Sequence, residues 1–164
     1  MGVRGVTTNC GFLSLYQDDL RAALGVPVAA SSLMQVQAVQ ALLPPGRQVG
    51  ILTVSRESLS PTHLAAAGVP QDTPVEGTDD GEEFTDAILG NRLSLDVDAC
   101  RRDMLDAARR LVAQHPSIGA IVLECTNMCP YAADVAEDLE LPVYSVYDFV
   151  KWFQGGLAPR RFAL

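Results

Sequence analysis

One unit occurs twice in this chain, and it fixes most of what the chain can fold into. Ala120-Ile121-Val122-Leu123 is an apolar run of strand length, followed at once by Glu124-Cys125-Thr126-Asn127-Met128-Cys129-Pro130. Near the start, Val3 to Thr8 is a β-branched stretch that runs into Asn9-Cys10-Gly11. Cys10 lies 17 positions before Pro27, in Val26-Pro27-Val28, and Cys125 lies 17 positions before Pro142, in Leu141-Pro142-Val143. Each half therefore reads strand, cysteine turn, helix, X-Pro-Val strand, serine, helix, which points to an internal repeat. Strands alternating with helices imply a parallel α/β sheet, and ligands bind at the carboxyl ends of such strands. Pro130 suits a first helical position. Cys125 is then expected in a turn facing a helix N-terminus, where free N–H groups and the helix dipole favour carboxylates and a thiolate. One thiol from each half, facing across a cleft, is what a two-base proton-transfer enzyme needs.

The 164 residues suffice for one ordinary core. With 48% hydrophobic and 20% charged residues the chain reads as globular. It has no run of eighteen apolar residues and no export leader, so a membrane partner is not expected and a cytoplasmic location is. Four cysteines without a dense framework fit a reducing compartment. The net charge of −8 argues against nucleic acid. The single lysine, Lys151, makes a Schiff-base mechanism a poor fit.

In order, strands are expected at Val3–Thr8, Val26–Ala30, Val49–Val54, Thr73–Glu76, Ala120–Leu123 and Pro142–Ser145. Helices are expected over Phe12–Leu24, Ser32–Leu43 (opened by a Ser32-x-x-Gln35 capping box), 60–68 (Ser60 as cap), Glu82–Leu89, Asp96–Gln114, Tyr131–Leu139 and onward from Ser145. The 96–114 helix should turn Val97, Cys100, Met104, Ala108 and Leu111 inward, with Asp98–Arg102 and Asp106–Arg110 pairs outside. Thr78–Glu83 reads as a solvated acidic loop.

Thr7-Thr8-Asn9-Cys10-Gly11-Phe12 and Leu123-Glu124-Cys125-Thr126-Asn127-Met128 resemble the two cysteine signatures of the aspartate/glutamate/hydantoin racemase superfamily. Val49-Gly50-Ile51-Leu52-Thr53 resembles the strand that opens that family's second lobe. Better-known members carry Cys-Asn-Thr where this chain has Cys10-Gly11-Phe12, which bears on the substrate more than on the fold. The resemblance implies two pseudo-symmetric, flavodoxin-like parallel-sheet lobes: a first-lobe remnant at 1–45, a second lobe at 46–143, and a C-terminal helix and tail at 144–164 returning to the first. It also implies an opening strand and helix before Met1, which subtraction of one half from the other puts at roughly 65 to 70 residues. The implied activity is a cofactor-independent, metal-free racemase or epimerase acting on a small amino-acid-like carboxylate or a hydantoin. Cys10 and Cys125 would exchange the α-proton. A homodimer is the implied assembly.

A carbanion beside a carboxylate needs donors aimed at that carboxylate. Candidates are the hydroxyls of Thr8, Thr53, Ser55 and Thr126, the amides of Asn9 and Asn127, and backbone N–H groups after each cysteine, Gly11 first. The resemblance carries substrate holding onto Thr126 and Asn9. Blander readings stand beside these. Strand-end cysteines often serve as small buried hydrophobes, and Cys100 is expected in the core. Cys125 and Cys129 have redox spacing but no supporting histidine. His63 and His115 read as solvated, and Trp152 as packing. Glu124, directly before Cys125, could tune the thiol or hold a substrate amine, but alternation sends its side chain the opposite way from Cys125. The rival function is a non-catalytic small-ligand-binding lobe or an inactive fragment.

Overall fold

The computed structural model describes residues 2–163. Its strands are β1 (Val6–Thr7), β2 (Val28–Ala29), β3 (Gln48–Thr53), β4 (Val75–Gly77), β5 (Ile118–Leu123) and β6 (Val143–Tyr144). Its α-helices are α1 (Gln17–Leu24), α2 (Val36–Leu42), α3 (Pro61–Ala66), α4 (Phe84–Leu89), α5 (Val97–Gln114), α6 (Ala132–Leu139) and α7 (Val146–Leu157). All strand pairs are parallel. They form a four-stranded sheet in the order β4-β3-β5-β6 and a two-stranded sheet β1-β2.

Period-two alternation in β3 and β5 builds two cores. Leu52, Ile121 and Leu123 face a cluster with Phe84, Met104, Leu111, Met128 and Tyr131. Val49, Ile51, Ala120 and Val122 face a cluster with Leu33, Val36, Leu59 and Leu64. The second cluster joins the two halves, because Leu33 and Val36 belong to the first cysteine unit. Three further contacts make the same junction. Phe12 lies 5.2 Å from the His63 ring. The Ser14 hydroxyl donates to the His63 carbonyl at 3.0 Å. Gly5 leaves room for Leu157 and Phe153 of α7, whose nearest atom would lie 2.4 Å from an added Cβ.

The repeat is visible in backbone detail. Val6 pairs with Val28 and Ile121 with Val143, so both registers span 22 residues, and each cysteine lies four residues beyond the first partner. Val6 N–H donates to the Pro27 carbonyl and Ile121 N–H to the Pro142 carbonyl, both at 2.9 Å. The carbonyls of Cys10 and Cys125 each accept from the N–H three residues on, both at 3.1 Å. Each cysteine is extended and precedes a 3-10 segment, Gly11–Tyr16 or Thr126–Tyr131, before its α-helix.

Several local expectations are corrected. Pro130 lies inside the 3-10 segment and not at the first α-helical position, because the chain tightens before it enters α6. Ser31, not Ser32, caps the helix after β2, accepting from Leu33 N–H at 3.2 Å. The Ser32 hydroxyl instead donates to the Leu123 and Glu124 carbonyls at 2.8 and 2.9 Å. Val97 is 52% exposed because it opens α5 ahead of the buried stripe of Cys100, Met104, Ala108 and Leu111. The outer pairs are Asp98–Arg101 and Asp106–Arg109, one residue closer than expected, while Arg110 reaches the buried Glu76 at 3.0 Å. The acidic loop is tied down by Asp103, which accepts the backbone N–H groups of Glu82, Glu83 and Phe84 at 2.8–2.9 Å. Trp152 is 73% exposed and stacks on Phe149. His63 is half-buried within α3, its Nδ1 2.8 Å from the Ser60 hydroxyl.

Candidate active site

The two cysteine turns abut at the carboxyl ends of β1 and β5. The Thr126 hydroxyl donates to the Asn9 carbonyl across the junction. Cys10 and Cys125 are both half-buried free thiols, close enough that charge on Cys10 raises the Cys125 pKa. The Asn127 amide donates to Cys125 Sγ at 3.8 Å, within range for sulfur. An open cleft of about 520 Å³ lies beside the turns. Thr7, Thr8, Asn9 and Thr126 line one part of it, and Cys129, Val146, Tyr147 and Val150 the rest.

Glu124 stands at the centre of the junction, and its role was left open by the sequence. Alternation does turn it away from Cys125, as expected. The face it turns to, however, is the one covered by the first cysteine unit. Glu124 is 2% exposed and accepts from the Thr53 hydroxyl at 2.9 Å. The backbone N–H groups of Val54 and Gly11 also support its carboxyl. A Cβ on Gly11 would stand 2.2 Å from Oε1, so glycine is required there by the approach of Glu124. Burial pushes the Glu124 carboxyl up to about 7, against the pull of these three donors.

The expected Cys125 thiolate is overturned. Burial, then the neighbouring Glu124 charge, push its thiol up to about 12, outweighing the lowering effect of Asn127 N–H and side chain. The helix-terminus expectation counted one local dipole, and here that dipole belongs to a six-residue 3-10 segment. Cys125 is therefore a thiol at neutral pH.

The remaining candidates divide. Thr8, Asn9 and Thr126 line the cleft, and Asn127 is exposed beside Cys125. The Thr8 and Thr126 hydroxyls nevertheless spend their protons inside the protein, Thr8 on the Ala30 carbonyl at 2.5 Å. Thr53 is fully buried and bound to Glu124, which removes it from contact with a ligand in the cleft. Ser55 is buried and accepts from Ser58 N–H at 3.3 Å. Gly11 is buried beneath Glu124. Thr53, Ser55 and Gly11 thus shape the site from behind. Among the described residues no three His, Cys, Asp or Glu side chains converge to hold a metal ion. None of the described helices is long and apolar enough to cross a membrane. Lys151 is exposed on α7, 5.0 Å over the Tyr147 ring.

The sequence profile of the Asp/Glu/Hydantoin racemase family matches residues 2–150. The chain belongs to that family. It is 31% identical over 170 residues to a dimethylsulfoniopropionate lyase of Durusdinium sp. clade D, an alignment covering 99% of this chain and 56% of that protein. It spans 31–56% of the length of the curated relatives it matches. The fold is shared with glutamate racemase from Bacillus anthracis at a TM-score of 0.63 and 16% identity, over 96% of this chain and 61% of that one. It is shared with allantoin racemase from Pseudomonas fluorescens at 0.64 and 13% identity, over 100% of this chain and 72% of that one. The family is one of racemase- and lyase-type enzymes.

Proposed function

We propose that this chain transfers a proton at the carbon next to a carboxylate or a hydantoin carbonyl, without a cofactor, through Cys10 and Cys125. The observation that carries this reading is the meeting of two backbone-equivalent cysteine turns at one junction, tied by Thr126 and Asn9. Cys125, half-buried and beside Glu124, enters as the proton donor, which leaves Cys10 as the base for one hand of substrate. Carbanion charge flows into the adjacent carboxylate or carbonyl, where Asn127 and the backbone N–H groups after Cys125 are the available donors. Return of a proton from the opposite face gives the racemised product.

A second outcome of the same first step is favoured by the similarity to a dimethylsulfoniopropionate lyase. A propionate with a leaving group on the β-carbon can expel it once the α-proton is gone. Elimination needs one base, whereas racemisation needs both thiols. Cα hydrogen exchange in D2O, followed by NMR, separates the readings. The panel holds D- and L-amino acids, 5-substituted hydantoins and dimethylsulfoniopropionate. Exchange or elimination that falls at least about 100-fold in Cys10→Ser and in Cys125→Ser supports the two-thiol reading. Elimination that survives one of the substitutions reassigns the chain to one-base lyase chemistry. No turnover on any compound, in a folded protein, moves it to a small-ligand-binding lobe.

A further inference from the structure

The two cysteine units match in backbone, but one of them is covered on a side where the other is bare. In the second unit β5 lies between β3 and β6, and Ile118, Ile121, Tyr131 and Val135 are sealed in one core with residues of α5. The matching positions, 115 residues earlier, are Val3, Val6, Tyr16 and Leu20. Among the described residues β1 pairs with β2 alone. Tyr131 is 5% exposed and Tyr16 53%, while Ile118 is 1% exposed and Val3 71%, so nothing stands over the first unit where α5 stands over the second. Leu24, one helical turn beyond Leu20, is exposed as well. A strand edge without a neighbour, beside an apolar stripe, is a template for another strand edge. The charge distribution says which partner can approach it. Residues 1–45 carry Arg4 and Arg21 against Asp18 and Asp19 and no other charged side chain, so the net charge of −8 lies wholly in residues 46–164. Asp18 and Arg21 pair with each other at 3.0 Å. Two copies meeting through their second units bring like charge together. The first unit is the neutral side.

We infer that this face docks a second copy of the chain about a two-fold axis, with β1 antiparallel to β1 of the partner and Tyr16 packed across the axis. A two-fold contact is self-complementary, so each copy supplies the strand edge and the apolar cover that the other lacks. The contact joins two two-stranded sheets into one. Three or more strands with an apolar face are what a small sheet needs for independent stability. Val3, Tyr16 and Leu24 of both copies leave water in the process, and that burial drives the association. Cys10 follows β1 by three residues, so the pairing also braces the first cysteine turn.

Sedimentation velocity on the full chain across a wide range of concentration tests this. The parent should reach twice the mass of one chain and dissociate on dilution. Tyr16→Asp puts a charge into the contact and should weaken association at least about tenfold. Leu93→Asp changes the net charge equally at an exposed apolar side chain outside the face, and should leave association unchanged. Equal weakening by both substitutions overturns the proposal. If Tyr16→Asp does not fold, amide exchange on the unaltered chain, dilute against concentrated, decides. Residues 5–9 should slow on concentration, while the outer strand β4 of the larger sheet (Val75–Gly77) should not. Slowing at β4 instead would put the contact on the larger sheet and overturn the proposal. A chain that stays single at every concentration, with residues 5–9 exchanging freely, also overturns it and leaves the face to a different polypeptide. Both readouts are mass and exchange, so the inference holds or fails independently of the two-thiol reading.

Discussion

The two cysteine units share a backbone and differ in nearly everything around it. Register, the carbonyl that accepts at the Pro-Val strand, and the hydrogen bond at the cysteine coincide. Yet β5 lies inside a four-stranded sheet with Ile121, Val122 and Leu123 wholly buried, whereas β1 is two residues long, with Val6 half-buried and Thr7 exposed. The residue before the cysteine differs too, exposed Asn9 in one unit and buried Glu124 in the other. The repeated backbone supplies two equivalent places for a thiol. The unequal surroundings push the Cys125 thiol up, through burial first and the neighbouring Glu124 charge second.

The sharpest way to break the comparison is to cut equivalent side chains. Ile121→Ala should cost about 2–5 kcal/mol in denaturant unfolding. Val6→Ala, at the equivalent register position, should cost roughly 1 kcal/mol. Equal losses would mean that the first unit is as much a part of the core as the second.

Next in size is the pH dependence that only the second unit should carry. A free glutamate titrates at 4.5 and folded Glu124 at about 7, so the native state binds this proton more tightly than the unfolded one. Its contribution to stability is therefore fully present below about 4.5 and is lost as pH rises through about 7. The span is on the order of 3 kcal/mol. Unfolding of Glu124→Gln and the parent, compared at about pH 4 and pH 8, should show the variant gaining on the parent by that order. A difference independent of pH would place the charge elsewhere.

The smallest effect belongs to the link between the units. Thr126→Val removes the hydroxyl that donates to the Asn9 carbonyl. It should cost about 1 kcal/mol and should speed amide exchange in residues 8–11 more than in residues 124–128. Uniform exchange across both turns would mean that the hydroxyl does not couple them.

The fold was largely legible because its signals are local. The equal cysteine-to-proline spacing located both halves, and the apolar runs located β3 and β5 to within a residue or two at each end. The site was legible only where it is local as well. Cys10 and Cys125 could be picked out and are near one another, and Asn9 and Thr126 do line the cleft. Glu124 could not be placed, because its partners Thr53 and Gly11 lie 71 and 113 positions away in the sequence. Alternation gave its direction without giving what fills that direction. The Cys125 thiolate failed for the same reason: a helix terminus can be seen in sequence, whereas burial by another half of the chain cannot. The one hint available was glycine directly after Cys10, where the better-known signature has asparagine.

The packing of α7 over Gly5 has a consequence for how the protein is made. Ribosomes deliver β1 early and α7 more than a hundred residues later. A two-stranded parallel sheet is marginal without a covering layer, and here Phe153 and Leu157 help provide it. The second unit, with its own sheet and helices, can consolidate while synthesis continues. The first unit therefore leaves the ribosome before the second, yet its sheet gains this cover only once α7 has followed, more than a hundred residues later.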